Sequence, residues 1–199
     1  MCVLPSEIPG PARPGHPDPA QAPGVIAAIA RGVDLASSGE AAALTTLPIH
    51  KQALIGGAGF GFPGHTEYLA DLAQVPRVVM LLACPELRVV PATIHIPLAE
   101  VPQALTSALL DETIRITHAG LIADFGLARP RLAVAGLNPH AGEGGVMGRE
   151  EIEELAPALA SLRAQGFDII GPMSGDTMFH AAARARYAAA IAMYHAQAL

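Results

Sequence analysis

Two runs of consecutive apolar, β-favouring residues constrain this chain most: RVVMLLA at 77–83 and RLAVA at 131–135. A strand that is apolar at every position, not at every second one, has to be covered on both faces, which calls for a sheet sandwiched between helices. The flanking sequence supplies such helices. From Ala22 onward Val25, Ile26, Ile29 and Val33 recur at helical spacing until Ser37-Ser38-Gly39 breaks the pattern. Val101 to Ile122 and Glu150 to Gln165 carry the same period, the second stopping at Gly166. Further short strands are expected at Ala43 to Thr46, Leu87 to Val90, Asp168 to Ile170 and Ala188 to Tyr194. Helix and strand alternate with no internal repeat, so the expected class is α/β, layered, with a largely parallel or mixed sheet.

Met1 to Pro23 is Pro-rich and aperiodic, so the expected organisation is an extended lead-in over 1–22 followed by one α/β core over 23–199. With 51% hydrophobic and 15% charged residues, burial can offset chain entropy and the chain is expected to fold. A net charge of -6 and the lack of any Lys/Arg cluster argue against a nucleic-acid backbone as partner. Lys51 is the only lysine, so a phosphorylated small molecule would have to be held by few, well-placed donors. Cys2 and Cys84 cannot build a disulfide framework and match no zinc spacing. With no leader pattern at the start and no uncharged apolar run of about 18 residues, the expected location is cytoplasmic, away from the membrane.

Three of the eight histidines sit in similar places: His95 after the Leu87 strand, His140 in the turn after RLAVA, and His195 at the end of the last strand. Ligands of open α/β sheets bind beyond the carboxyl ends of strands. Three imidazoles delivered there could ligate one divalent cation and leave positions open for substrate oxygens. Taken singly, each reads as well as a hydrogen-bonded loop histidine. Spacing does not decide, because no short motif such as H-E-x-x-H links them.

The neighbourhoods are more informative. NPHAGEGG at 138–145 places Pro139, His140, Glu143 and three glycines between a buried strand and a helix, a composition suited to close backbone approach and anion contact. An ordinary connector would account for the glycines and not for the His and Glu. In GHTE at 64–67, Thr66 is expected to cap the following helix, and His65, before the helix N-terminus, suits a phosphate or carboxylate. His50 and Lys51 end another segment, where a solvated lysine is the ordinary outcome. GFGFPG at 59–64 satisfies G-x-G-x-x-G but follows a helix and carries Pro63 in the turn, so it is set aside as a dinucleotide fingerprint. Asp176, in Gly175-Asp176-Thr177, reads as an Asx-turn or helix cap, and His118 as a partly buried helix residue.

In order along the chain, TLPIHKQAL at 46–54, PGHTEYLA at 63–70, GLNPHAGEGG at 136–145, GREEIEE at 148–154, GPMSGDTMF at 171–179 and AMYH at 192–195 resemble the landmarks of the 4-hydroxythreonine-4-phosphate dehydrogenase family. The resemblance implies an isocitrate- and isopropylmalate-dehydrogenase-like layered α/β fold, incomplete at both ends, and a homodimer with its site at the subunit boundary. It places His95, His140 and His195 on the family's divalent-metal ligands (Zn, Mg or Co), shared between two subunits, and His65 and Thr66 on substrate-binding positions. It implies oxidation of 4-phosphohydroxy-L-threonine by NAD, or NADP, to 2-amino-3-oxo-4-phosphohydroxybutanoate, followed by decarboxylation, in pyridoxal 5'-phosphate (vitamin B6) synthesis.

Relative to that family, an N-terminal portion with the first strands and a C-terminal portion after AMYH are expected to be missing. The family's Tyr-His-Asp-Gln-Gly reads Tyr194-His195-Ala196-Gln197-Ala198 here, which removes a carboxylate beside a metal-ligand position. Such partners are commonly worth about 10- to 100-fold in affinity or rate. Two alternatives follow: a related dehydrogenase for a four-carbon sugar-acid phosphate of the erythronate or threonate type, and an inactive remnant that binds only metal or a dimer partner.

Overall fold

A computed structural model describes residues 4–11 and 13–197, and the chain packs as two compact units, Met1–Val78 and Val79–Leu199. No helix among the described residues is long and apolar enough to cross a membrane.

The first unit is built from helices α1 (Ala22–Ser37), α2 (Lys51–Ala58) and α3 (His65–Leu72). The helical spacing of α1 buries Ile29 and Val33, and Ile29 forms the unit's core with Ala22, Leu54, Phe60 and Tyr68. Phe60 meets Tyr68 edge-on at 5.2 Å, the quadrupole-favoured arrangement, and the Tyr68 hydroxyl donates to the Ile26 carbonyl at 3.3 Å. The strand expected at Ala43 to Thr46 does not form. A strand needs a ladder partner, and the described part of this unit holds no other strand for it to pair with. GFGFPG follows α2, as expected, with Gly59 in the left-handed region (φ 61°) closing that helix.

The second unit carries a five-stranded sheet: β1 (Leu82–Cys84), β2 (Leu87–Thr93), β3 (Leu132–Ala135), β4 (Ile169–Met173) and β5 (Ala189–Tyr194). The spatial order is β1-β2-β5-β3-β4, with β1 antiparallel at one edge and the other four strands parallel. RVVMLLA therefore yields only the last part of its expected strand, at an edge and not between two layers. The reason lies in β2, where β1 pairs as far as Leu82 opposite Val89. Two residues further along, Pro91 has no N–H to offer, so the ladder stops on that side while β2 stays paired to β5 on the other.

Between the strands run α4 (Val101–Ala104), α5 (Ser107–Ala123) and α6 (Ala156–Ala164). The single helix expected over 101–122 is broken at Leu105, and Thr106 restarts it as an N-cap, its hydroxyl accepting from the Leu109 N–H at 3.2 Å. The helix expected over 150–165 opens with one π turn at Glu151–Leu155 and stops at Gly166 (φ 95°). One sheet face is large-residue core: Val90, Leu132, Val134, Ile191 and Met193 pack against Leu110, Ile114 and Leu121 of α5 and Leu159 and Leu162 of α6. Each such side chain, fully buried, contributes roughly 1.5–3 kcal/mol. The other face is lined by Val89, Ala133, Ala135, Ala190 and Ala192, the alanines small enough for α7 (Gly175–Met178) to lie close over it, and α8 (Ala181–Arg184) packs on α7. Met178 is fully buried there, and its carbonyl accepts from the Tyr187 hydroxyl at 2.8 Å.

Candidate metal and substrate site

Because β2, β5, β3 and β4 run the same way, their carboxyl ends share one edge, and the segments leaving them carry His95, His195, His140 and Asp176 in that lateral order. His95 lies two residues past β2 in a left-handed conformation (φ 52°). Its ring centroid is 6.0 Å from that of His195, which directly follows β5. With metal–nitrogen bonds of about 2.1 Å, two imidazoles on one ion place their centroids roughly 4.5–5.7 Å apart, so this pair stands a few tenths of an ångström wider than a shared divalent cation would set it. The two line a cleft of about 200 Å³ with Thr93, Leu98 and Tyr194.

His140 is held apart from them. It lines a neighbouring cleft of about 410 Å³ with Asn138, Asp176 and Gln197, and Tyr194 borders both clefts. Within one chain no three His, Cys, Asp or Glu side chains among the described residues gather closely enough to hold a metal ion. The three sequence-predicted ligands thus reach the same sheet edge as a pair and a single. Two imidazoles alone would suit a cation's preference for nitrogen donors and would leave its shell incomplete.

The NPHAGEGG segment is not a simple connector. Residues His140 to Gly144 all have positive φ (50°, 52°, 76°, 42° and 68°), a left-handed run in which His140, Ala141 and Glu143 are not glycine. Left-handed backbone disfavours an L residue by about 1–2 kcal/mol, and such strain persists only where the surroundings over-determine it. Here they do. The Glu151 carboxylate, only 3% exposed, accepts from the Asn138 backbone N–H at 2.7 Å and from its carboxamide at 3.0 Å. A Cβ on Gly142 would come within 2.6 Å of Glu151 Oε2, so the glycine is what lets the turn close over the carboxylate. The same Asn138 carboxamide donates to Glu150 at 2.7 Å; this bond and Glu150's own backbone N–H hold the Glu150 carboxyl below its usual range.

Asp176, read from the sequence as an Asx-turn or helix cap, lines the same cleft as His140. Its Oδ2 stands 3.8 Å from His140 Nδ1, and the Ser174 hydroxyl, 2.5 Å away, is the main reason its carboxyl titrates below the ordinary range, with His140 adding to the effect. The signal for this placement was available, since a turn directly after a parallel strand places its polar residues at the ligand edge. Gln197, Asn138 and Glu151 were missed. For Glu151 the clue is its phase: it stands four residues before Leu155 on the stripe that continues through Leu159 and Leu162, a carboxylate in a core position.

In the first unit the expected cap role of Thr66 is not what the structure has. Gly64 is the N-cap, and His65 and Thr66 are the first two residues of α3, because the extended backbone at Gly64 lets the helix begin two residues earlier. His65 Nε2 is buried with no hydrogen-bond partner, a polar atom in want of a ligand. A Cβ on Gly64 would stand 3.8 Å from Lys51 Nζ, so the ammonium of the only lysine reaches this helix start. His50 and His180 act locally: each Nδ1 caps a helix, accepting from the Ala53 N–H at 3.2 Å and the Ala183 N–H at 3.4 Å. The His118 ring lies 4.7 Å from that of Phe167, a packing position.

Parallel strands under two helical layers, with imidazoles gathered at their carboxyl edge, define a layered α/β protein of the isocitrate- and isopropylmalate-dehydrogenase-like class. The model of the pyridoxal phosphate biosynthetic protein PdxA family matches residues 2–199, and the chain belongs to that family. It is 63% identical over its whole length to a 4-hydroxythreonine-4-phosphate dehydrogenase of Paracoccus denitrificans, of which it spans 63%. It is 57% identical over 99% of its length to the protein of that name from a Ruegeria species, of which it spans 60%. The crystal structure of the Klebsiella pneumoniae 4-hydroxythreonine-4-phosphate dehydrogenase superposes with a TM-score of 0.87 at 38% identity, covering 94% of this chain and 57% of that one. The chain thus spans less than two thirds of the length of these relatives.

Proposed function

We propose that this chain carries the metal-holding and part of the substrate-holding machinery of a cytoplasmic, NAD-dependent 4-hydroxythreonine-4-phosphate dehydrogenase acting in pyridoxal 5'-phosphate synthesis. The observation that carries the reading is the delivery of His95, His195 and His140 to one edge of four parallel strands, two of them close to the spacing of a shared ion. His95 and His195 of one copy hold a divalent cation (Zn, Mg or Co), and His140 of the partner subunit completes the protein ligands in a homodimer. That arrangement accounts for a pair and a single within one chain.

The substrate 4-phosphohydroxy-L-threonine is oxidised at its hydroxyl, hydride passing to NAD, or to NADP, and the resulting β-keto acid loses CO2. A cation held there by neutral imidazoles would keep its full positive charge and would supply Lewis-acid stabilisation of negative charge on the substrate oxygen. Asp176, ionised and set beside His140, adds a negative charge that favours a cation on that side of the cleft. His65, with its unpartnered Nε2, and Thr66 supply donors for an anionic substrate group at the positive end of α3, with Lys51 at hand as counter-charge.

The test is NADH formation at 340 nm from 4-phosphohydroxythreonine and, in parallel, from erythronate 4-phosphate, with Zn, Mg or Co added in turn. Turnover of the first alone is expected. Turnover of the second alone would move the assignment to a sugar-acid phosphate dehydrogenase. Bound metal without turnover of either would mark the chain as an inactive remnant.

A further inference from the structure

The β3–β5 ladder ends at Val134 opposite Ile191, whereas β2 and β5 stay paired as far as Thr93 and Tyr194. Past Ile191 the two central strands part, and the carboxamide of Gln197 occupies the gap. Its Oε1 accepts from the Met193 N–H at 2.7 Å, and its Nε2 donates to the Gly136 carbonyl at 2.6 Å. The linkage continues on both sides: the Thr93 hydroxyl donates to the Met193 carbonyl at 2.7 Å, and the Gly136 N–H donates to the Met173 carbonyl at 2.7 Å. One chain of hydrogen bonds thus crosses the ends of β2, β5, β3 and β4, the four strands that lead to His95, His195, His140 and Asp176.

We propose that Gln197 is a positioning residue for the metal site, its carboxamide standing in for a missing peptide unit and holding the His195 segment, two residues away, against the ends of β5 and β3. The inference rests on the metal-site reading above. A carboxamide suits this place because it offers an acceptor to one strand and a donor to the other; a carboxylate lacks the donor and an alkyl chain lacks both. Both ends of the group are engaged within the chain, so Gln197 acts through its neighbours and not by touching substrate.

The test uses the full chain with Gln197→Met, which keeps the length and loses both bonds, and Gln197→Glu, which keeps the Met193 bond and turns an oxygen toward the Gly136 carbonyl. In metal-free protein, exchange of the Met193 amide is expected to be at least tenfold faster in Gln197→Met and close to wild type in Gln197→Glu. Co(II) titration is expected to show both variants binding about tenfold more weakly, with altered visible bands, as for other residues that orient metal ligands. An unchanged Met193 amide in Gln197→Met would show that the link does not exist. An exposed Met193 amide with unchanged Co(II) affinity and bands in both variants would reduce Gln197 to a stabilising residue. A wild-type chain that binds no Co(II) would overturn the metal-site reading, and the positioning role with it, while amide exchange still reported on the link.

Discussion

The backbone N–H and the carboxamide of Asn138 both donate to the buried carboxylate of Glu151, at 2.7 and 3.0 Å, and this pair braces the left-handed turn that presents His140. The brace asks for two acceptor oxygens. Glu151→Gln places an amide donor against one of the Asn138 donors and is expected to destabilise the fold by about 1–3 kcal/mol. Glu153→Gln, on the exposed side of the same segment, is expected to stay within about 0.5 kcal/mol. Urea unfolding of the two variants is the measurement, and equal midpoints would show that the buried pair is not a brace.

Glu150 shares the Asn138 carboxamide, and its carboxyl is held below the ordinary range first by its own backbone N–H and then by that carboxamide. Asn138→Ala is expected to raise the Glu150 pKa part of the way back, as read by carboxyl-carbon NMR titration. A depressed carboxyl stabilises the fold above its unfolded-state pKa, about 4.3, and that contribution is lost as pH falls through the folded value. The share of the wild-type advantage over Asn138→Ala that comes from Glu150 is therefore full at neutral pH and closes on acidification. A Glu150 pKa unmoved by the substitution would assign the shift to the backbone alone.

Ala196 stands between His195 and Gln197 and borders the cleft of the His95–His195 pair, at the position where the family resemblance leads one to expect aspartate. Restoring the carboxylate with Ala196→Asp gives an imidazole ligand a hydrogen-bonding partner and adds negative charge beside the cation. Co(II) affinity is expected to rise about tenfold. No gain, or a loss, would show that the carboxylate has no such role in this chain.

What could be read from sequence was whatever depends on local pattern. Val25 to Val33 gave α1 its face, Leu132 to Ala135 its buried strand, and strand-end placement pointed to His95, His140 and His195. What could not be read depends on partners distant along the chain. Ala43 to Thr46 has strand composition but no strand beside it, and Val78 to Leu81 lies beyond the point where Pro91 ends the ladder. The His140 to Gly144 turn is left-handed because Glu151, eleven residues beyond His140, is buried beneath it, and Gln197 matters because two strands part where its carboxamide reaches. The pair-and-single arrangement of the imidazoles follows from the strand order β2-β5-β3, which no local pattern encodes.

The most direct test of the proposed metal centre is subunit complementation with His95→Ala and His140→Ala chains. Each alone is expected to lose tight Co(II) binding. If His95 and His195 of one copy share an ion with His140 of the partner subunit, mixing and refolding equal amounts yields mixed dimers with one intact site in two, and about a quarter of the wild-type Co(II) capacity returns. No recovery from a mixture shown to contain mixed dimers would contradict a centre shared in this way.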